Sequence, residues 1–440
     1  GVKMNAAQSK PKPIDLLRSP TLITARFLPH LVLAAPYAAM ILLVGLNFRL
    51  IGDEGFFHLK VISSFADVWP RLSLALGDYP SASTPLPYLI WTLYGKLVGF
   101  EVWKLRLLAA LVAFGATNLF YQLSRRRHLP RPLLSTLIFS FFPYAFSHAF
   151  AIYTVSFGLL FGVWALQYYL READTPGSLL WASLLATLAI YCRTFYIALA
   201  LGMLAHRVVR PTHGRFLHWR QRDLLDWVVL SLPLWAILPL FWVWGGLTPP
   251  SHQDQYSLRL VPEHLNFLPV FIGFYCLPVL LDIWASRVFK TKAVIGVALL
   301  VPLYLAFTPA YSEQIAQVGA ATDLIVHGLD LLSSVWAPLP VIGQFALWGT
   351  GCLILTLLLT GPISEEKAKL LACLASFLVL IALTPFPSER FYLVTVSRSV
   401  RPNAYSSLQG RLLPWWLLVQ TSLSAGFTYW QIVLKPPWTV

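Results

Sequence analysis

Two adjacent carboxylates, Asp53 and Glu54, follow the first long apolar stretch in the run Ile51-Gly52-Asp53-Glu54-Gly55-Phe56-Phe57-His58. A carboxylate at a lipid–water boundary is partly desolvated, which raises its pKa and suits it to take a proton from a hydroxyl. The plainer use of such a pair is to cap the next helix or to mark the interface. Its position at the exit of the first span, ahead of a long loop rich in Trp, Tyr and Pro, favours chemistry, with Asp53 as general base and Glu54 as its partner. Arg193 is the second candidate, set between the apolar runs Leu185–Cys192 and Phe195–Leu204. A guanidinium near membrane level needs an anion or water, and its fork suits a phosphate. An ion pair with a carboxylate on another span, or snorkelling to the interface, would satisfy it as well. His252, Gln253, Asp254 and His264 form a third polar group. Two histidines and an acid can hold a metal, but their spacing matches no known ligand pattern, and a polar loop is the simpler account. Ser388-Glu389-Arg390-Phe391-Tyr392 offers another arginine, for a lipid phosphate or as an interface anchor. The chain has no phosphate-gripping glycine loop, nucleophile elbow or zinc-protease helix.

These residues need a membrane around them. The 440 residues are 57% hydrophobic and only 12% charged, whereas soluble domains keep about a quarter charged. Apolar runs recur near the ~20 residues that cross a bilayer, so the chain reads as an all-α polytopic membrane protein. The net charge of +14 sits in short connections between apolar runs, as the positive-inside rule requires. No nucleic-acid partner is needed to explain it. Cys192, Cys276, Cys352 and Cys373 lie far apart in or beside apolar runs and read as small packing residues rather than a disulfide or zinc framework.

The basic tail, residues 1–30, shows no secretory signal pattern and is placed in the cytoplasm. A first span near 31–50 then delivers Asp53-Glu54 to the outer face. The basic stretch Arg125-Arg126-Arg127 returns to the cytoplasm, so an odd number of crossings lies between. Residues 104–124 supply one crossing. The segment from Thr84-Pro85-Leu86-Pro87 to Val98 therefore reads as a helix lying at the outer surface, within a first outer loop of residues 51–103. Further spans are expected near 133–150, 152–170, 177–192, 194–209, 227–245, 265–285, 293–308, 338–360, 368–386 and 412–433, for a bundle of about twelve. Residues 31–440 read as one transmembrane domain with no internal repeat. Arg390, Arg398, Arg401 and Arg411 fall outside, against the rule.

Together these features resemble the GT-C superfamily of integral-membrane glycosyltransferases, which take sugar from a polyprenyl-phosphate carrier. The resemblance rests on the acidic pair Asp53-Glu54 opening the first outer loop and on the proline-containing helix start Thr84-Pro85-Leu86-Pro87-Tyr88-Leu89. It also rests on the Arg-Leu entry Leu105-Arg106-Leu107 into the second span. All three are similar to the protein O-mannosyltransferase and aminoarabinose transferase branch, although a Pro-Pro-Leu element there is Pro-Leu-Pro here. His58 after the acidic pair and Arg193-Thr194 after an apolar run are similar to the dolichyl-phosphate-glucose glucosyltransferase of N-glycan precursor assembly. Glu389-Arg390-Phe391-Tyr392 resembles a Glu-Arg-Tyr element of bacterial members.

The resemblance implies a GT-C-like bundle with juxtamembrane helices in the first outer loop and single-displacement, inverting transfer to a hydroxyl on a glycan, lipid or protein. It makes Asp53 the base and gives Glu54 the task of orienting the acceptor or, with Asp53, of holding a divalent cation. Arg193 and Arg390 would stabilise the leaving phosphate, and His58 would hydrogen-bond sugar or phosphate. Tyr88 and Trp91, with Tyr94, would line a groove for the isoprenoid tail, and His252 would lie near the acceptor. Membrane lipids are the remaining partners. A bacterial inner membrane with a periplasmic site is the first expectation, and an endoplasmic reticulum membrane with a luminal site has the same topology. A lipid-linked glycan transporter or flippase, or a ligase using a diphosphate carrier, are the rival readings.

Overall fold

A computed structural model describes residues 20–71, 73–128, 131–171, 175–209, 221–255, 260–275, 291–307, 324–360, 364–383 and 409–429. Helices and their connections account for these residues, and no strand occurs among them. The chain divides into two compact units at Gly45 and Leu46. The described part of the first is essentially helix α1 (Pro20–Leu43), which carries Pro29 and Pro36 within it.

The second unit opens with non-helical residues Leu46–Ile51 and a π-helical turn, Glu54–His58, which runs into α2 (Leu59–Val68). The short α3 (Ser73–Leu76) and then α4 (Leu86–Val98) follow. Pro87 sits in the first turn of α4, where a missing N–H costs nothing. Gly99, at φ +105°, ends the helix in a conformation that only glycine adopts easily. Its 13 residues fall short of the ~20 needed to cross a bilayer. Helix α5 (Val102–Arg126) is long and apolar enough to cross, as are residues Leu224–Trp244 of α11 (Gln221–Trp244) and Leu339–Thr356 of a helix near the C-terminal end. These spans make the chain an integral membrane protein. The other apolar helices are shorter, so the described residues do not establish the expected count of about twelve spans.

The expected span at 133–150 is two helices, α6 (Pro132–Ser140) and α7 (Pro143–Ala149). Pro143 explains the break, because a residue before proline is driven out of the helical region, and Phe142 is extended at φ −62°, ψ 127°. Next come α8 (Val155–Tyr169), α9 (Pro176–Cys192) and, after a 3₁₀ turn at Thr194–Tyr196, α10 (Ile197–Val209). The remaining helices are α12 (Pro262–Tyr275), α13 (Thr291–Ala306), α14 (Leu324–Ser333), α15 (Leu339–Thr360), α16 (Glu365–Ala382) and α17 (Gln409–Tyr429).

Helix α8 packs against both α5 and α9, α9 against α11, and α10 against α11 and α16. A second core is built where α12 crosses α15. In lipid, helices associate through close backbone approach rather than through hydrophobic burial, which selects small residues at crossings. A side chain at Gly273 would strike the Leu347 carbonyl, one at Gly351 the Pro269 carbonyl, and one at Gly202 the Cys373 backbone.

Polar groups gather at the ends of the bundle. Where α5, α8 and α10 finish and α11 and α16 begin, Arg127 pairs with Glu366 at 3.3 Å and Arg207 pairs with the buried Asp226. There Lys369 Nζ donates to the Tyr169 carbonyl at 3.2 Å, a cation at the C-terminus of α8. The opposite end holds the candidate site.

The α12–α15 crossing gives a direct test of the packing. Gly351→Val should destabilise the detergent-solubilised protein by about 2 kcal/mol through overpacking, whereas Gly349→Ala, which meets open space, should be neutral. Thermal unfolding of the two variants checks this.

Candidate functional site

The site forms where the turn at Ile51–His58 meets α4, the N-terminus of α5, the loop before α8 and the C-terminus of α9. Its acidic pair is divided. Glu54 is fully buried and salt-bridged to the equally buried Arg106, the charge in the Leu105-Arg106-Leu107 entry of α5. Arg106 Nε donates to one Glu54 oxygen at 2.8 Å and Nη2 to the other at 2.5 Å. The remaining guanidinium hydrogens go to the carbonyls of Leu46, Phe48 and Arg49 at 2.8, 2.7 and 3.0 Å, so all five N–H donors are used. Glu54 accepts two further bonds, from the N–H of Ile51 at 3.2 Å and of Ile152 at 3.0 Å. The Phe48 ring lies 3.7 Å from the guanidinium carbon.

Asp53 is only half-buried and opens the π-helical turn without using its side chain as a cap. The Asp53 side chain therefore does not do the capping job that is the simplest reading of an acidic pair, whereas Glu54 accepts the Ile51 N–H just ahead of the turn. The backbone at this point is set by Gly52, at φ +49°. Asp53 N–H donates to the Tyr153 hydroxyl at 3.1 Å, and that hydroxyl donates to the Ile51 carbonyl at 3.2 Å. A Cβ on residue 52 would lie 2.6 Å from the Tyr153 oxygen, so glycine is required both for the turn and for the approach.

His58 is buried and its Nδ1 lies 2.7 Å from the Tyr88 hydroxyl, which also bonds Ser81 Oγ at 2.6 Å. Burial pushes the Tyr88 phenol well above its ordinary range. Hydrogen bonds from Ser81 and Ser83 and the positive charge of Arg193 oppose the shift, and the negative charge of Asp53 adds to it. The Tyr88 hydroxyl thus lies within electrostatic reach of both Asp53 and Arg193, residues 140 positions apart by subtraction of their numbers. Tyr79, whose ring meets those of Phe65, Tyr88 and Trp244, is raised in the same way by burial.

Arg193 is the half-buried residue that ends α9, extended at φ −154°, ψ 125°. Two features hold it. Thr84 Oγ1 donates to the Ile190 carbonyl at 2.8 Å, binding the start of α4 to the last turn of α9. Three residues past Arg193, the Tyr196 ring fills the notch left on α8 by Gly158 and Gly162, where a Cβ at either position would collide with it. This Gly-x-x-x-Gly spacing is a sequence signal of close helix packing.

The other expected residues fall as follows. Tyr88 and Trp91 are fully buried in the core, Trp91 with its indole N–H on the Leu105 carbonyl at 3.2 Å. They present no surface to an isoprenoid tail, because α4 turns its aromatic face inward onto α2 and α5. His252 is buried with its ring edge-on to Phe57 at 5.5 Å, so the loop after α11 does reach the first loop. It is fastened there by Ser251, whose N–H donates to Asp78 at 3.1 Å and whose Oγ donates to the Tyr79 carbonyl at 2.9 Å. Arg390 lies outside the described residues, and of the Asp254 side chain nothing is described. A cation held by Asp53 and Glu54 does not fit, since four N–H groups already occupy the Glu54 oxygens. No group of three or more His, Cys, Asp or Glu suited to a metal ion occurs among the described residues.

The sequence reading does not single out Arg106 and Tyr153 as site residues. Arg106 had a signal, a charge inside an apolar helix that must find an anion. Tyr153 had none.

No family model matches the chain, and no curated protein matches it. Its shape is similar to the crystal structure of ArnT from Cupriavidus metallidurans bound to undecaprenyl phosphate, at TM-score 0.46 and 14% identity over 92% of this chain and 76% of that one. The apo state of the same protein gives TM-score 0.44 and 14% identity over 90% and 75%. Values this low assign the chain to no family.

Breaking a buried ion pair strands a charge and costs about 3–5 kcal/mol, whereas replacing both partners by apolar groups costs far less. Glu54→Met and Arg106→Met should each abolish a folded preparation or lower its unfolding temperature sharply. The double variant should recover only part of the loss, because three carbonyls and two N–H groups lose their partners with the pair. Size-exclusion profiles and thermal unfolding check this. The raised phenols give a pH prediction. A group whose folded pKa exceeds its unfolded value stabilises the protein fully below the unfolded value, about 10 for tyrosine, and the benefit is lost above it. The unfolding midpoint should stay level from neutral pH to about 10 and fall beyond, less steeply in Tyr79→Phe.

Proposed function

We propose that the chain is a membrane-embedded glycosyltransferase of GT-C type that moves a sugar from a polyprenyl-phosphate carrier to a hydroxyl acceptor, with Asp53 as general base. The observation that carries this reading is the division of labour in the acidic pair. Glu54 is consumed by Arg106 and two backbone N–H groups, and it fixes the turn from which the half-buried Asp53 projects. A carboxylate held by its backbone, with its side chain not used as a helix cap, suits proton abstraction.

In the proposed reaction the acceptor hydroxyl loses its proton to Asp53 as its oxygen attacks the anomeric carbon. The bond from that carbon to the carrier phosphate breaks, and the electron pair leaves with the phosphate. Arg193 is the cation suited to the charge that develops there, an electrostatic contribution that is often the largest in catalysis. Its electrostatic reach to the Tyr88 hydroxyl, shared with Asp53, supports placing base and phosphate partner in one site. His58, fixed by Tyr88, would orient sugar or phosphate through its ring. The inverting outcome, the acceptor and a bacterial inner membrane with the site on the periplasmic face belong to this proposal, and the luminal face of the endoplasmic reticulum is its counterpart in a eukaryote.

Purified protein in lipid nanodiscs, given a panel of labelled polyprenyl-phosphate sugars and a membrane lipid and glycan extract, should discharge one carrier. Asp53→Asn should lower the rate by about three orders of magnitude or more with an unchanged unfolding temperature, and Arg193→Gln by about two, within the range expected for lost electrostatic stabilisation. Retention of full transfer by a folded Asp53→Asn protein would overturn the assignment of the base. Passage of an intact lipid-linked glycan across the bilayer without carrier cleavage would favour a flippase.

A further inference from the structure

Tyr153 lies in the connection between α7 and α8. Phe150, Ala151 and Ile152 are fully buried and Tyr153 nearly so. The connection is tied to the acidic pair through the Ile152 N–H on Glu54, 3.0 Å away. One residue on, the Tyr153 hydroxyl bridges the two sides of Gly52, accepting from Asp53 N–H at 3.1 Å and donating to the Ile51 carbonyl at 3.2 Å. The ring below that hydroxyl is shared. His58 meets it edge-on at 5.3 Å, and His148 stacks on it at 4.2 Å with 14° between the planes.

We infer that Tyr153 is a positioning residue for Asp53, its hydroxyl fixing the Gly52-Asp53 peptide and its ring seating His58. The inference rests on the reading of Asp53 as the base. Two properties separate this role from ordinary packing. The hydroxyl bonds the backbone of a single turn on both sides of Gly52, so its loss acts first on the direction of that turn. Gly52 has no side chain at the point where one would meet the hydroxyl at 2.6 Å, so residues 52 and 153 form one device. A displacement of about 1 Å at a reacting group costs up to about a hundredfold in rate.

Tyr153→Phe keeps the ring and removes the two bonds. In the carrier-discharge assay it should lower kcat about ten- to a hundredfold and leave the acceptor KM within about twofold. Its unfolding temperature should match that of Tyr191→Phe, which removes a hydroxyl bonded to the Ala236 carbonyl between α9 and α11. Gly52→Ala should also be slow. The double variant, freed of the collision, should be faster than Gly52→Ala alone, because residues in contact couple and separate ones do not. A readout independent of activity is the rate at which a water-soluble carbodiimide modifies Asp53, followed by peptide mass spectrometry. Tyr153→Phe should change that rate by about threefold or more with Asp67 and Asp78 unaffected. Wild-type kcat in Tyr153→Phe, an unchanged Asp53 modification rate, or independent effects of the two substitutions would overturn the inference. An active Asp53→Asn protein would instead remove the base assignment, and the carbodiimide comparison would still decide whether Tyr153 sets the position of Asp53.

Discussion

The buried pair of Glu54 and Arg106 governs the rest of the site. Two charges taken out of water are tolerated only when every donor and acceptor is matched, and here the match recruits backbone from two places. The carbonyls of residues 46, 48 and 49 and the Ile51 N–H come from the non-helical entry, and the Ile152 N–H comes from the connection before α8. α5 supplies the guanidinium. A single ion pair thus fixes non-helical chain against a membrane helix and against a second non-helical connection. Irregular backbone at membrane depth requires this kind of satisfaction.

From that anchor the geometry propagates over short distances. Gly52 reverses the chain, Asp53 follows on a peptide held by Tyr153, and the π-helical turn carries His58 to Tyr88. Burial raises the Tyr88 pKa and keeps the phenol neutral, so its single hydroxyl hydrogen can serve only one of its two bonds, to His58 and Ser81, while the oxygen accepts in the other. The start of α4 is pinned to α9 through Thr84, and the end of α9 places Arg193. Each step is local, and each joins elements that are far apart in sequence.

This explains which parts were legible beforehand. The membrane class, the long α5, the shortness of α4 and the end of α9 at Arg193 all follow from composition, proline placement and apolar run length, which are local properties. The pairing of Glu54 with Arg106 spans 52 positions, and each residue alone has a bland alternative. Arg106 in an apolar helix signals the need for an anion, but Asp67, Asp78 and Glu101 lie nearer in sequence than Glu54, so the partner itself is not legible. Tyr88 and Trp91 show the limit of such reasoning. An aromatic on a short interfacial helix looks the same in sequence whether it faces lipid or the core, and only the packing of α4 on α2 and α5 decides that both are buried. The break at Pro143 was written in the sequence, but a long apolar run concealed it. Likewise, the expected count of about twelve spans is not established, because hydropathy measures apolar length, and among the described residues three helices are long and apolar enough to cross.

The arrangement also separates fully buried charge from half-buried charge. Most buried charge is neutralised in place, at Glu54 and Arg106 on one end and at Arg207 and Asp226 on the other, where it stabilises helix ends. Asp53 and Arg193 differ in being only half-buried, one on a glycine turn and the other at a helix terminus. A charged side chain on a turn can be displaced by a small backbone rotation, whereas one on a packed helix cannot. The backbone at Asp53 is held by the hydroxyl of Tyr153 and, through Ile51 and Ile152, by the carboxylate of Glu54. The second acid of the pair thus acts on the first through the main chain, and a neutral residue of the same shape at position 54 would disturb Asp53 without ever touching a substrate.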